Sequence, residues 1–244
     1  MKRIAACLLS LLALAADAAD LQLLTDNHRP LHFQQGDHLE GYGVDVVRAL
    51  AEQTGDRIDL QQVPLLRALR TASETPNTGV FTVLRTDERD DRYQWVGPLI
   101  EVETALYAHA NNQPPVKTLQ QADQAGRISV PRKWLVYSYL KQQNLKNLDG
   151  VETPEQMMRL FSLGRTDFVV SDTLSTAALA RTQGMEPGRL QYQIPLMKQD
   201  TYIAFSLQTD PGQVKRWQQA LETLRADGRL EQIRQRWLMN ALPR

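Results

Sequence analysis

Three of the four histidines lie close together in the sequence, at His28, His32 and His38. Imidazoles that converge at this density can bind zinc. Pro30 stands between the first two, however, and prevents them from sharing one face of a regular helix. Histidines in loops are usually solvated, so we expect neither a metal site nor a cofactor.

Two charged side chains stand where the pattern favours ligand binding. Asp172 follows the apolar segment 168–170, which predicts a strand, and α/β sheets bind ligands at the carboxyl ends of strands. The alternative is that Asp172 caps a helix beginning near Leu174. Arg89 carries a planar guanidinium that can donate two parallel hydrogen bonds to a carboxylate. Its alternative is a surface position at a helix end, among Asp87, Glu88, Asp90 and Asp91.

Predicted strands and helices alternate along the chain, which is typical of an α/β fold with a mostly parallel sheet. The first series has strands at 21–25, 58–63 and 79–84 and helices at 44–54 and 65–73. The paired prolines of segment 111–115 then interrupt the pattern. The second series has strands at 127–131 and 167–171 and helices at 135–142, 154–163 and 174–182. Asp210 and Pro211 begin a helical C-terminal region that Gly228 divides in two.

Composition restricts the partners. The chain has 244 residues, with 28 Lys or Arg against 28 Asp or Glu, so a formal charge of zero gives no electrostatic reason to expect nucleic acid. Hydrophobic residues make up 42% and charged residues 23%, which is ordinary globular usage. We therefore expect a globular protein with no nucleic-acid partner.

The N-terminus has the pattern of a secretory signal. Lys2 and Arg3 precede the apolar segment 4–16, and Ala16-Asp17-Ala18 fits the small-x-small cleavage pattern. We expect residues 1–18 to be removed and the protein to be exported to the periplasm. The only cysteine, Cys7, lies inside this signal, so the mature chain would have no disulfide or thiolate metal site. Acylation of Cys7 is the less favoured alternative.

Several short motifs resemble the periplasmic solute-binding proteins of the small polar-amino-acid family, which serve ABC importers. Segment 39–45 is similar to the family's Gly-aromatic-x-x-Asp entry to its first helix, and segment 85–89 to its Thr-x-x-Arg segment. Segment 93–98 resembles the following aromatic-Pro strand, and segment 163–172 the Gly-x-x-Asp-strand-Asp element. Asp227-Gly228 ahead of Trp237 matches its C-terminal helices. These motifs occur in the family's order over nearly the whole mature chain.

The resemblance implies an α/β fold of the periplasmic-binding-protein type II-like clamshell, with two α/β lobes joined by two interlobe crossings. Lobe one would comprise residues 19–108 and 204–244, and lobe two residues 109–203. The crossings are expected at 105–111 and 201–207, side by side. A ligand would bind between the lobes and close them by hinge motion.

The resemblance also implies roles for individual residues. Arg89 would bind the ligand's carboxylate, and Asp172 its ammonium. Thr82 occupies a position where the family often presents a hydroxyl to the carboxylate, and His28 a position that lines the ligand's side chain. Arg85 is a further basic group that either widens the anion site or pairs with a nearby acid, the second being favoured.

One departure from the family affects the expected ligand. The chain has Lys133-Trp134-Leu135 where typical members carry Gly-Thr-Thr at the start of a helix in lobe two. The pocket should therefore be more apolar or differently shaped. Trp134 could offer a ring face to an apolar or cationic ligand group.

We therefore expect a monomeric, non-enzymatic periplasmic protein that captures a small solute, such as an amino acid or related zwitterion, for an ABC permease or a membrane sensor. One alternative is a dehydratase-like enzyme on the same fold with Glu88, Glu101 or Glu103 as general base, although no pair of these has a spacing that demands catalysis. Another is a degenerate binding module used for protein contact. In that case Arg89 and Asp172 would turn away from an apolar cleft.

Overall fold

The computed structural model describes residues 20–110 and 115–239. The predicted signal peptide, with Cys7, lies outside the described residues, as does most of the proline-containing segment 111–115. The described residues form an eight-stranded sheet and a separate two-stranded hairpin. The strand order in the sheet is 57–62, 20–25, 78–84, 190–206, 93–109, 168–172, 128–131 and 148–151. No helix within them is both long and apolar enough to cross a membrane.

The first unit contains one end of the large sheet, the hairpin and the C-terminal helices. Its strands are β1 (Asp20–Thr25), β2 (Phe33–Gln35), β3 (His38–Glu40), β4 (Arg57–Gln62) and β5 (Thr78–Leu84). Its helices are α1 (Tyr42–Thr54), α2 (Leu65–Glu74), α3 (Asp87–Asp90), α8 (Pro211–Ala226) and α9 (Arg229–Leu238). Strand β1 pairs in parallel with both β4 and β5, so these three strands end at the same edge.

The second unit contains the other end of the sheet. Its strands are β7 (Ile128–Pro131), β8 (Leu148–Val151) and β9 (Phe168–Asp172). Its helices are α4 (Leu119–Ala125), α5 (Leu135–Gln142), α6 (Pro154–Ser162) and α7 (Thr176–Thr182). Strand β7 pairs in parallel with β8 and β9, so this unit also presents one edge of strand carboxyl ends.

Two long strands, β6 (Tyr93–His109) and β10 (Leu190–Ser206), connect the units. They pair antiparallel along almost their whole length, from Tyr93 opposite Ser206 to His109 opposite Leu190. Strand β10 also pairs with β5 of the first unit, and β6 pairs with β9 of the second. The chain therefore passes between the units twice, on adjacent strands.

The lobe boundaries expected at 108 and 204 stay a prediction, and both fall inside strands that change partners along their length. Residues 105–108, expected in lobe one, pair with β9 and pack in the cores of the second unit. Residues 201–203, expected in lobe two, pair with β5 or β6 at the first-unit end of the sheet.

Each unit has apolar packing on both faces of the sheet. In the first unit, Leu23, Phe81 and Phe205 face α1 and α8, whereas Leu24, Val80 and Ala204 face α2. In the second unit, Tyr107 and Val169 pack with α6 and α7, and Leu106 and Val170 with α5. This alternation follows from the two-residue period of a strand. Covering helices leave the strand ends as the place for polar side chains.

Candidate functional site

A cleft of about 150 Å³ lies between the two units, where the parallel strands end. Strands β1 and β5 bring the first unit's side chains to it, and β7 and β9 bring those of the second. The titratable side chains that line it are Asp26, His28, His32, Arg89, Lys133 and Asp172. Apolar side chains, including Leu65 and Met197, form much of the remaining wall.

The cleft contains five of the six residues that the sequence indicated. His28, Thr82 and Arg89 reach it from the first unit, and Trp134 and Asp172 from the second. The protein-contact alternative required Arg89 and Asp172 to turn away from the cleft, and the structure places both in its lining. That they bind a ligand stays a prediction.

Arg85, the sixth, is not among the residues that line the cleft. Its side chain is exposed, pairs with Asp90, and lies 5.5 Å from the ring centre of Trp95 and 5.9 Å from that of Tyr202. The favoured alternative, pairing with a nearby acid, therefore describes what the structure shows.

Asp172 is almost completely buried and makes contacts on both carboxylate oxygens. Its Oδ1 accepts hydrogen bonds from the backbone N–H groups of Leu174 at 3.0 Å and Ser175 at 2.8 Å, just before α7 begins. Its Oδ2 lies 2.8 Å from Nε2 of His28. The helix-cap alternative for Asp172 is wrong, because α7 begins at Thr176 with Ser175 as its N-cap. Asp172 instead holds the turn before α7 through one oxygen and meets His28 through the other.

The contact between His28 and Asp172 joins the two units. Burial by itself raises the pKa of Asp172, but the charge and hydrogen bond of His28 and the bonds from Ser175 outweigh it, and the net pKa lies below the ordinary value of 3.8. The imidazole of His28 also lies against the indole of Trp134, with ring centres 5.7 Å apart. His28 thus touches two side chains of the opposite unit.

Arg89 lies in the short helix α3, directly beyond the end of β5. Its guanidinium is half-buried and donates through Nη1 to the backbone carbonyl of Leu84 at 3.1 Å. Among the residues that the structure describes, it has no carboxylate within salt-bridge distance. Burial lowers its pKa, and the guanidinium still remains a cation at any physiological pH. It is therefore a fixed positive charge with hydrogen-bond donors to spare.

Thr82 has an unusual backbone. It interrupts the pairing of β5 with β10, where Tyr202 faces Val83 and Ile203 faces Phe81. Its φ of 59° is rare for a β-branched residue and costs on the order of 1–3 kcal/mol. Its Oγ1 is buried and has no hydrogen-bond partner among the described residues. Such a group is expected to gain when a ligand atom satisfies it.

Asp26 and His32 also line the cleft, although neither was predicted as a ligand contact. Nδ1 of His32 donates to the backbone carbonyl of Asp26 at 2.9 Å and lies 3.4 Å from its carboxylate. Burial lowers the pKa of His32 despite this carboxylate, so its neutral form is favoured. Asp26 directly follows β1, so the strand-end rule that selected Asp172 would also have found it.

The acids proposed as catalytic bases lie elsewhere. Glu88 is exposed, and neither it nor Glu101 nor Glu103 lines the cleft. Glu101 and Glu103 lie 3.6 and 3.4 Å from Nζ of Lys198, and buried Glu103 also accepts from the hydroxyl of Tyr192 at 3.0 Å. The carboxylates that do line the cleft are those of Asp26 and Asp172.

Comparison with known proteins supplies the family. The model of bacterial extracellular solute-binding proteins, family 3, matches residues 21–240. The L-cystine-binding protein TcyA of Bacillus subtilis (strain 168) is 22% identical over 207 residues, which cover 84% of this chain and 75% of that protein.

Solved structures agree in fold. A histidine kinase sensor domain similar to periplasmic binding proteins has a TM-score of 0.79 at 21% identity, covering 92% of this chain and 98% of that one. An ancestral arginine-binding protein bound to arginine has a TM-score of 0.76 at 17% identity, covering 89% of this chain and 97% of that one. Both show the type II clamshell expected from the sequence. The family match extends over nearly all of the described residues, and the chain belongs to the bacterial extracellular solute-binding proteins of family 3.

Proposed function

We propose that this protein captures a small amino acid or related zwitterion in the cleft between its two units. The observation that carries the proposal is the half-buried guanidinium of Arg89, which has no carboxylate partner within the described part of the chain and lines the same cleft as Asp172 of the opposite unit. An amino acid carries one charge of each sign. The two residues could hold its opposite ends.

The energetics of closure favour this pairing. Moving a carboxylate or an ammonium into a water-poor cleft costs several kcal/mol unless each meets an opposite charge and hydrogen bonds. Arg89 can donate two parallel bonds to a carboxylate, and the unpartnered hydroxyl of Thr82 can donate another. Asp172 supplies the negative charge for the ammonium. A ligand side chain would then meet Trp134 and the apolar wall around Leu65 and Met197.

The proposed role is binding without catalysis. The glutamates considered as general bases, Glu88, Glu101 and Glu103, lie outside the cleft. The relative and the structures compared above are named as binding or sensor proteins. We propose delivery to an ABC permease, and the similarity to a sensor domain supports a membrane sensor as the second candidate recipient.

We also propose that the two units act as lobes that close on the ligand, and that the mature protein is a periplasmic monomer beginning near Ala19. Membership of an extracellular family supports the location. N-terminal mass analysis of the exported protein tests the cleavage site. An acylated Cys7 would contradict it and place the protein on a membrane.

Thermal-shift screening of the purified protein tests the binding proposal. A ligand that binds only the folded state stabilises it by about 2.7 kcal/mol at a concentration of a hundred times its Kd. The melting temperature rises as a result. The panel should contain amino acids, opines, polyamines and small dicarboxylates. We expect amino acids or opines to give the largest shifts. Shifts from dicarboxylates or polyamines alone would contradict the zwitterion proposal.

A further inference from the structure

We infer that His28 is a specificity-determining residue that competes with the ligand for Asp172: without ligand its contact holds the two units together, and in the closed complex a cationic group of the ligand takes its place. The inference rests on the proposed function, in which Asp172 receives the ligand's ammonium. It adds that this acid already has a cationic partner supplied by the protein.

His28 contacts the oxygen of Asp172 that the backbone does not use. Nε2 of His28 lies 2.8 Å from Oδ2 of Asp172, with side-chain exposures of 23% and 5%. The other oxygen, Oδ1, is committed to the backbone N–H groups of Leu174 and Ser175. The imidazole therefore occupies Oδ2, the oxygen that a ligand would otherwise bind. Because only 5% of the Asp172 side chain is exposed, an ammonium that approaches from the cleft has to displace His28 to bind this oxygen closely.

The surroundings of His28 favour its charged form. The acids that face it are Asp172, Asp26 and Glu155, and the neighbouring titratable base is His32. Burial lowers the pKa of His28, but the charge and hydrogen bond of Asp172 and the two other acids outweigh it, so the net pKa lies above 6.5. The indole of Trp134, 5.7 Å away, is within range of a cation–π contact on the opposite unit.

The competition has consequences for selectivity and pH. A ligand without a cationic group leaves the His28–Asp172 pair in place and gains nothing from Asp172. A ligand with an ammonium replaces one cation by another, so its net gain is smaller while His28 is protonated. Raising the pH through the pKa of His28 removes its positive charge and leaves a neutral imidazole, which is a weaker partner for Asp172. Binding of an amino acid should therefore tighten with rising pH, whereas binding of its deaminated analogue should not.

The holding role is tested without any ligand. Small-angle scattering compares wild type, His28→Gln and the matched control His38→Gln, whose histidine is exposed and lies outside the cleft. At pH 6 we expect His28→Gln to have a larger radius of gyration than wild type and the control to match wild type. Wild type should itself expand on raising the pH to 8.5. Equal radii throughout would overturn the holding role, and the pH series on wild type decides this even if His28→Gln does not fold.

Competition is tested by calorimetric titration of the same proteins with the strongest amino acid of the screen. At pH 6 we expect His28→Gln to bind the ligand about tenfold more tightly than wild type. This is the ratio for a wild-type site that is free of His28 in about one tenth of the molecules. At pH 8.5 the two affinities should converge. Weaker binding by His28→Gln at both pH values would show that His28 contacts the ligand and would overturn the competition. If no panel compound binds either protein, the proposed function and the competition both fail, while scattering still decides the holding role.

Discussion

Replacing Arg89 by lysine should weaken ligand binding without unfolding the protein. Lysine keeps the positive charge but loses the planar fork, so it cannot donate two parallel hydrogen bonds to one carboxylate. In the structure Nη1 is already committed to the carbonyl of Leu84 at 3.1 Å. The remaining N–H groups of the guanidinium are available to a ligand, whereas lysine has three donors on one atom.

The expected loss can be worked from these contacts. One hydrogen bond to a charged group is worth about 1.5–3 kcal/mol. Losing one of the two parallel bonds therefore predicts a rise in Kd of roughly tenfold to 150-fold. The half-buried position of Arg89 supports the upper part of this range, because screening by water is weaker there than at the surface.

Calorimetric titration with the best ligand of the screen measures this change. Arg85→Lys is the matched control, because Arg85 lies four positions earlier, outside the cleft, and pairs with Asp90. Its Kd should stay within about threefold of wild type, an effect below roughly 0.7 kcal/mol. If Arg89→Lys also stays within that range while remaining folded, Arg89 does not bind the carboxylate.

Three further predictions concern stability and the shape of the cleft. Trp217→Ala should lower the free energy of unfolding by about 3–5 kcal/mol in urea titrations, because Trp217 is fully buried against Phe205 and donates to Asp56 at 2.6 Å; a loss below about 1 kcal/mol would contradict this packing. Gly43→Ala would place a methyl group 2.2 Å from Oγ1 of Thr82, so it should cost about 1–3 kcal/mol and weaken ligand binding, and unchanged affinity would argue against a role for Thr82. Burial lowers the pKa of His32, so the stability that neutral His32 contributes should be lost on acidification through about pH 6.5. The advantage of wild type over His32→Gln in urea titrations should therefore shrink from pH 8 to pH 5, and an advantage that grows would mean that protonated His32 is stabilised.

Elements with a clear apolar period were predictable from the sequence. Helix α5 was expected at 135–142 and occupies Leu135–Gln142, because Val136 and Leu140 recur at the helical spacing on its buried face. Helix α4, Leu119–Ala125, was not predicted because five of its seven residues are polar or alanine at exposed or partly exposed positions. The full length of β6 and β10 was also missed. Each passes through two environments, so neither has one burial pattern along its length.

The cleft was predictable only in part. The family motifs led to Arg89 and Asp172, and the structure brings both to one cavity. The contact between His28 and Asp172 was not predictable, because it joins residues 144 positions apart and depends on how the two units face each other. The bulge at Thr82 was also invisible, since a β-branched residue gives no sequence signal for a positive φ.

In the proposed complex, Asp172 holds the ammonium of a ligand whose carboxylate binds Arg89. Calorimetric titration of wild type and Asp172→Asn with one amino acid and its deaminated analogue tests this most directly. The measurement belongs at pH 8.5, where His28 competes least, and asparagine keeps an oxygen for the N–H groups of Leu174 and Ser175. We predict that wild type prefers the amino acid by roughly thirtyfold or more, as for a buried charge pair worth at least about 2 kcal/mol, and that Asp172→Asn loses most of this preference. An equal preference in both proteins would show that Asp172 does not bind the ammonium.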